Sequence, residues 1–166
     1  MSDGSSAPLP PHSGVLLMNL GSPDSPAVAD VRRYLREFLM DGRVLDAPWP
    51  IRFCIVHGLI LPRRPAQSAH AYRSIWTADG SPLVRDGYRV RESLQARLPV
   101  PVELCMRFGN PRPMDALRSL ADRGVRHVRL VPLFPHFAMS SFETAAEKVR
   151  SDLRTGFPNL TLDVLQ

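Results

Sequence analysis

Lysine is almost missing from this chain. Lys148 is the only one, so nearly all of the positive charge sits on arginine. A guanidinium is a planar fork that pairs carboxylates and phosphates, so an anionic small molecule or an acidic surface is the expected partner; a genomic preference for arginine codons leaves the same trace. Cysteine is scarce too. Cys54 and Cys105 lie far apart within apolar runs, without the spacing of a zinc or redox motif, and two cysteines make no disulfide framework. Both are expected to be buried thiols in a reducing cytoplasm. No run approaches the ~20 apolar residues that a spanning helix needs. The nearest, residues 51–61 from Ile51 to Leu61, is interrupted by Arg52 and His57 and could touch a membrane surface but not cross it. No basic region leads an apolar core at the start of the chain, which excludes a signal peptide there; residues 1–13, rich in serine and proline, read as a disordered tail. Despite a net charge of +5 there is no dense basic block and no RNA-binding aromatic motif, so nucleic acid is a poor fit.

What is present suits one soluble domain, taken as residues 14–166. The 166 residues are 44% apolar and 22% charged, ordinary for a globular protein with a real core. Residues 14–20 (GVLLMNL) form a continuous apolar run ending at Gly21-Ser22-Pro23, the pattern of a strand buried on both faces. Val28, Val31, Leu35, Phe38 and Leu39 fall at helical spacing over residues 27–40, with Pro26 near the start. Residues 46–65 read as irregular, because Pro48, Pro50 and Pro62 bracket their apolar centre. A short helix over 67–76 is broken at Gly80-Ser81-Pro82, which opens a longer one through residue 98. A second strand over 102–108 (VELCMRF) closes at Gly109-Asn110-Pro111, a helix over 115–123 stops at Gly124, and a third strand spans 127–133. A helix over 140–153, capped by Ser140 or Ser141, precedes a fourth short strand over 160–165.

Strands alternating with helices predict an α/β fold: a doubly wound, mostly parallel four-stranded sheet flanked by helices. Right-handed crossovers place the loops after Leu20, after Arg107-Phe108 and at His136 along one rim, where open α/β sheets bind ligands. His136 lies beside Phe137, Ser140 and Ser141; it either binds a metal, moves a proton, or is a satisfied hydrogen-bond partner. The loop at Met18-Asn19-Leu20-Gly21 has one glycine, not the three of a dinucleotide fingerprint. The chain stops inside or just after a strand with no helix to cover it, so the domain is expected to be the first half of something larger, or half of a symmetric assembly.

Four blocks occur in order: GVLLMNLGSPDSPAVADVRRYLREFLMDGRVL, HGLILPRRPAQSAHAYRSIWTADGSPL, ELCMRFGNP and LVPLFPHFAMSSFET. Together they resemble the N-terminal half of the ferrochelatases, which insert ferrous iron into a porphyrin in haem synthesis. The resemblance implies one of two similar chelatase-type, Rossmann-like domains with a cleft between them and an apolar lip, here residues 51–61, against the inner face of a membrane. The same stretch reads equally as an amphipathic core helix. On this resemblance Leu20 lies close to a macrocycle face, where it packs but cannot ligate iron. Arg64, Tyr72 and Ser81 match positions that hold propionates; Arg107 and Phe108 match an arginine–aromatic pair lining the cleft. His136 and Phe137 match the loop after the third strand, with His136 an auxiliary metal or proton group. Arg64 as a solvated surface residue, Tyr72 as a helix-face core residue and Ser81 as a helix cap are the plainer readings of the same positions.

The family's principal histidine and glutamate lie in its second half, beyond Gln166, so no catalytic residue is assigned among these 166. The resemblance further implies Fe(II) as substrate rather than as a permanently bound cofactor. It implies a protoporphyrin or coproporphyrin as the other substrate, and the missing half or a second copy as partner. Two other readings follow from the same blocks: a porphyrin- or haem-binding half-module without catalysis, or a half-sized chelatase that works as a homodimer through His136.

Overall fold

The computed structural model describes residues 10–133 and 144–165. Four strands, β1 (Ser13–Ser22), β2 (Val102–Gly109), β3 (His127–Pro132) and β4 (Thr161–Val164), form one sheet in the order β2–β1–β3–β4. Every pairing is parallel. The expected mostly parallel sheet is therefore parallel throughout. Six α-helices accompany it: α1 (Val28–Leu39), α2 (Trp49–Cys54), α3 (Arg64–Ile75), α4 (Pro82–Gln95), α5 (Pro113–Asp122) and α6 (Thr144–Gly156). Between α2 and α3 the helix continues as a π-helical stretch, Ile55–Ile60, in which the Leu61 N–H reaches back to the Val56 carbonyl at 2.8 Å.

The two faces of β1 explain its uninterrupted apolar run. Leu16 and Met18 point into a core closed by Leu117 and Leu120 of α5 and Val149 and Leu153 of α6. Val15 and Leu17 join Val102, Leu104 and Met106 on the opposite face, packed against Val84 and Leu94 of α4. A central parallel strand covered on both sides must be apolar at every position. β4, at the sheet edge, alternates exposed and half-buried residues instead.

Several boundaries move from those expected. Residues 46–65 are not irregular, because α2 and the π-helical stretch fill residues 49–60. Pro50 sits in the first turn of α2, and Pro65, Pro82 and Pro113 hold the same place in α3, α4 and α5. A first-turn N–H has no intrahelical acceptor, so proline costs nothing there and marks a start rather than a break. α3 accordingly begins at Arg64, and α4 ends at Gln95 rather than at residue 98. Residues 10–13 belong to the fold: Ser13 is buried in β1 and donates to the Pro10 carbonyl at 2.6 Å, while the His12 carbonyl accepts the Arg126 N–H at 2.8 Å. Cys105 is buried as expected, but Cys54 is exposed, on the outer side of α2. The expected caps Ser140 and Ser141 lie outside the described residues.

Candidate functional site

β1 and β2 end side by side, with Gly21 opposite Phe108 and Ser22 opposite Gly109. Gly21 has φ +115°, and a Cβ built on it would lie 1.8 Å from the Phe108 carbonyl oxygen. Only glycine allows the strand ends to cross this closely. Leu20, just before it, is half-buried at the strand end, and its N–H donates to Asn19 Oδ1 at 2.8 Å. The Gly21 carbonyl accepts the hydroxyl of Tyr34 from α1 at 3.2 Å. Burial pushes the Tyr34 hydroxyl pKa well above its ordinary value, and Tyr72 and Glu37 add to the shift in the same direction. α3, which carries Tyr72, packs against α1, which carries Tyr34. The Tyr72 hydroxyl is itself shifted upward by burial, and its ring meets Trp76 edge-on at 6.2 Å.

Trp76 opens a cleft of about 320 Å³ at the carboxyl ends of β1 and β2. Its wall runs from Pro23 and Asp24 after β1, through Trp76 and Ser81, to Asn110 after β2. Asn110 Nδ2 donates to Asp24 Oδ1 at 2.7 Å, tying the two strand-end loops together. Ser81 is presented by a tight turn in which Thr77 and Gly80 exchange backbone hydrogen bonds at 3.0 and 3.1 Å. It occupies the cap position of α4, yet its side chain makes no capping bond, and it is buried. A buried hydroxyl left without that bond is available to a ligand in the cleft.

Arg107 and Phe108 part company at the end of β2. Arg107 Nη2 pairs with Asp41 Oδ2, and both side chains are nearly covered, at 13% and 10% exposure. Its guanidinium lies 4.3 Å from the centre of the Phe108 ring. Burial pulls the guanidinium pKa down, against Asp41 and Glu37, which push it up. The Nε is buried without a hydrogen-bond partner. Asp41 Oδ1 accepts the Arg43 N–H at 2.9 Å, so this one carboxylate fixes both the turn after α1 and the arginine. Phe108 is 1% exposed and packs edge-to-face on Phe38 at 5.1 Å. It props the rim from beneath rather than lining the cleft as expected, because period two aligns it with buried Leu104 and Met106, not with Arg107.

Arg64, the first residue of α3, is exposed and makes no ion pair or hydrogen bond among the described residues. Eight residues separate it from Tyr72, roughly 12 Å along the helix, so it stands away from the Trp76–Ser81 cleft. His136 and Phe137 lie outside the described residues. Among the described residues no three histidine, cysteine, aspartate or glutamate side chains cluster as a metal site. Residues 51–61 are split by depth: Val56 and Leu61 are buried, whereas Trp49, Ile51, Phe53 and Leu59 stand out, with Trp49 at 60% and Leu59 at 59% exposure.

Sequence reasoning overlooked Tyr34, Asp41 and Trp76. Trp76 carried a signal, a tryptophan beside a Gly-Ser-Pro loop; Asp41 gave none, since its partner is 66 residues away. A family model described as Ferrochelatase matches residues 12–166. The ferrochelatase of Azotobacter vinelandii is 54% identical over 153 residues, covering 92% of this chain and 45% of that protein. That of Opitutus terrae is 48% identical over 159 residues, 94% of this chain and 46% of the relative, and that of Pseudomonas paraeruginosa 53% over 140 residues, 84% and 41%. The chain thus spans about half the length of the curated relatives it matches. With an all-parallel α/β sheet, a strand-end cleft and a match over residues 12–166, this chain belongs to the ferrochelatase family.

Proposed function

We infer that this chain supplies one wall of a pocket in which ferrous iron is inserted into a porphyrin. The other wall would come from the remaining half of a longer polypeptide or from a second copy. What supports this reading is the cleft at the carboxyl ends of β1 and β2, where the buried Ser81 keeps a hydroxyl without a capping bond, in a chain of this family. Insertion needs no electron transfer: Fe(II) binds four pyrrole nitrogens, sheds its water ligands, and two pyrrole protons leave to a base. What these residues offer is grip and shape. Leu20 gives an apolar surface for the macrocycle face. Tyr72 and Ser81 donate hydrogen bonds to propionate oxygens, and Arg64, at the far end of α3, offers a guanidinium with free donors. The base that accepts the pyrrole protons belongs, on this reading, to the other half.

The exposed side chains Trp49, Ile51, Phe53 and Leu59 support a peripheral membrane contact as part of the same function. No described helix is long and apolar enough to cross a membrane. A membrane-facing rim suits a flat apolar substrate that partitions into lipid.

The test is porphyrin binding by the wild-type polypeptide, read from quenching of its intrinsic fluorescence, with Ser81→Ala and Arg64→Gln as variants. Each should weaken protoporphyrin binding about tenfold, as expected for loss of a hydrogen bond to a charged group. Esterifying the propionates should abolish the difference between variants and wild type. Variants that bind the free acid as tightly as wild type would remove both residues from the site. Binding without metallation when the other half is supplied would favour a non-catalytic module.

A further inference from the structure

Trp49, Phe53 and His57 form one stacked stripe, with ring centres 5.3 Å and 4.2 Å apart. The stripe leads from the exposed apolar face into a second cleft, of about 380 Å³, between α1 and the π-helical stretch. Its lining is cationic: Arg32, Arg33 and Arg36 from α1 face His57, over a floor of Ala29 and Leu61, and no carboxylate is among the lining residues. Arg33 is already engaged, by Asp24 at 3.0 Å and Asp30 at 2.6 Å. Arg32 and Arg36, one helical turn apart, have no ion-pair or hydrogen-bond partner among the described residues. The Phe53 carbonyl lies 3.3 Å from His57 Nδ1 and accepts its N–H, so Nε2 donates to a phosphate only from the doubly protonated imidazolium. Two unengaged guanidiniums and an imidazole edge around one concavity are the chemistry of a phosphate site.

We propose that this cleft holds the phosphate of an anionic phospholipid headgroup, so that the apolar face beside it docks on an anionic bilayer. The inference rests on the membrane-facing reading of Trp49, Ile51, Phe53 and Leu59 and adds the class of lipid. A lipid phosphate is favoured over a soluble one by continuity. The same stripe that ends at His57 begins at a 60% exposed tryptophan, and tryptophan at an interface sets its ring at headgroup depth. Arginines at that level then meet phosphates rather than acyl chains, and the net charge of +5 adds attraction in the same sense.

Vesicle co-sedimentation of the whole polypeptide tests this, with phosphatidylcholine alone and with a phosphatidylcholine–phosphatidylglycerol mixture. Wild type should bind the anionic vesicles roughly tenfold more tightly, and Arg32→Gln/Arg36→Gln, folded by circular dichroism, should lose most of that preference. Trp49→Ser/Phe53→Ser should lose binding to both. Equal binding of wild type to the two vesicles leaves the membrane-facing reading intact and overturns this inference alone; binding to neither overturns both. An anionic preference undiminished in the arginine double variant would also overturn it. So would saturable binding of inorganic phosphate, lost in that variant, without any vesicle preference: the cleft would then belong to a soluble ligand.

Discussion

Arg107 and Asp41 meet where little water reaches either of them, which makes the pair costly to break from one side. Removing the carboxylate strands a guanidinium whose Nε already lacks a partner and frees the turn that Asp41 fixes through the Arg43 N–H. Uncompensated buried charge is the large part of such losses. Asp41→Ala should therefore lower unfolding stability by about 3 kcal/mol in urea titrations. Asp41→Leu/Arg107→Met, which removes both charges and keeps the bulk, should lose clearly less. A double variant as unstable as the single one would show that packing, not stranded charge, sets the cost. At this scale the candidate residues came from the family resemblance rather than from residue type; of them Ser81 lines the cleft at the strand ends, and Arg107 lies near the end of β2. What the sequence concealed was pairing across the chain. Nothing near Arg107 in sequence announces Asp41, and the buried side of Phe108 becomes visible only when β2 is counted in twos from Leu104.

The crossing of β1 and β2 depends on two glycines used in the same way. Gly21 and Gly109 both have positive φ, and each leaves room for a carbonyl of the other strand. Gly124, which ends the helix before β3, also has positive φ, +78°, but a Cβ there would meet nothing within 4 Å. The pair separates backbone strain from steric collision. Gly124→Ala should cost about 1–2 kcal/mol, the price of a left-handed residue with a side chain. Gly21→Ala should cost more than about 3 kcal/mol, because its Cβ would sit inside the Phe108 carbonyl as well. Thermal melting of the two variants decides it; equal losses would mean that the strand ends part easily and that the cleft floor is soft. The strands themselves were legible, since uninterrupted apolar runs bounded by Gly-Ser-Pro and Gly-Asn-Pro allow little else. The helices between residues 46 and 65 were not, because a proline reads as a breaker until its place in the turn is known. Pro50 sits in the first turn of a helix that the spacing of prolines had hidden, and Pro65 in that of one expected to start three residues later.

Over the whole molecule, the order β2–β1–β3–β4 reverses direction between β1 and β3, while the described cleft lies one strand over, at the ends of β1 and β2. The alternation of elements foretold that order's class, and the Trp76–Ser81 cleft lies at the carboxyl ends of its first two strands. The same burial that builds the core also sets how it fails in alkali. Tyr34 lies under the strand ends and Cys105, on β2, faces the α5–α6 layer; burial pushes both pKa values well above their ordinary ones, with Tyr72 and Glu37 adding to the first and Asp152 to the second. In the unfolded chain the two groups lose their protons near pH 10.0 and 9.0, their ordinary values, while the folded chain keeps them. Below those values both states are protonated and the contribution to stability is whole. Above them the unfolded state holds fewer protons than the native state, so stability falls as pH rises. The urea midpoint should thus decline from about pH 9 upward, the range in which free thiols and phenols begin to ionise. Cys105→Ala should flatten the onset of that decline even though its cavity lowers stability at neutral pH, since the variant removes the group that ionises first. Midpoints that stay level past pH 10 in wild type would mean that neither buried group is linked to unfolding, and the same slope in the variant would remove Cys105 alone.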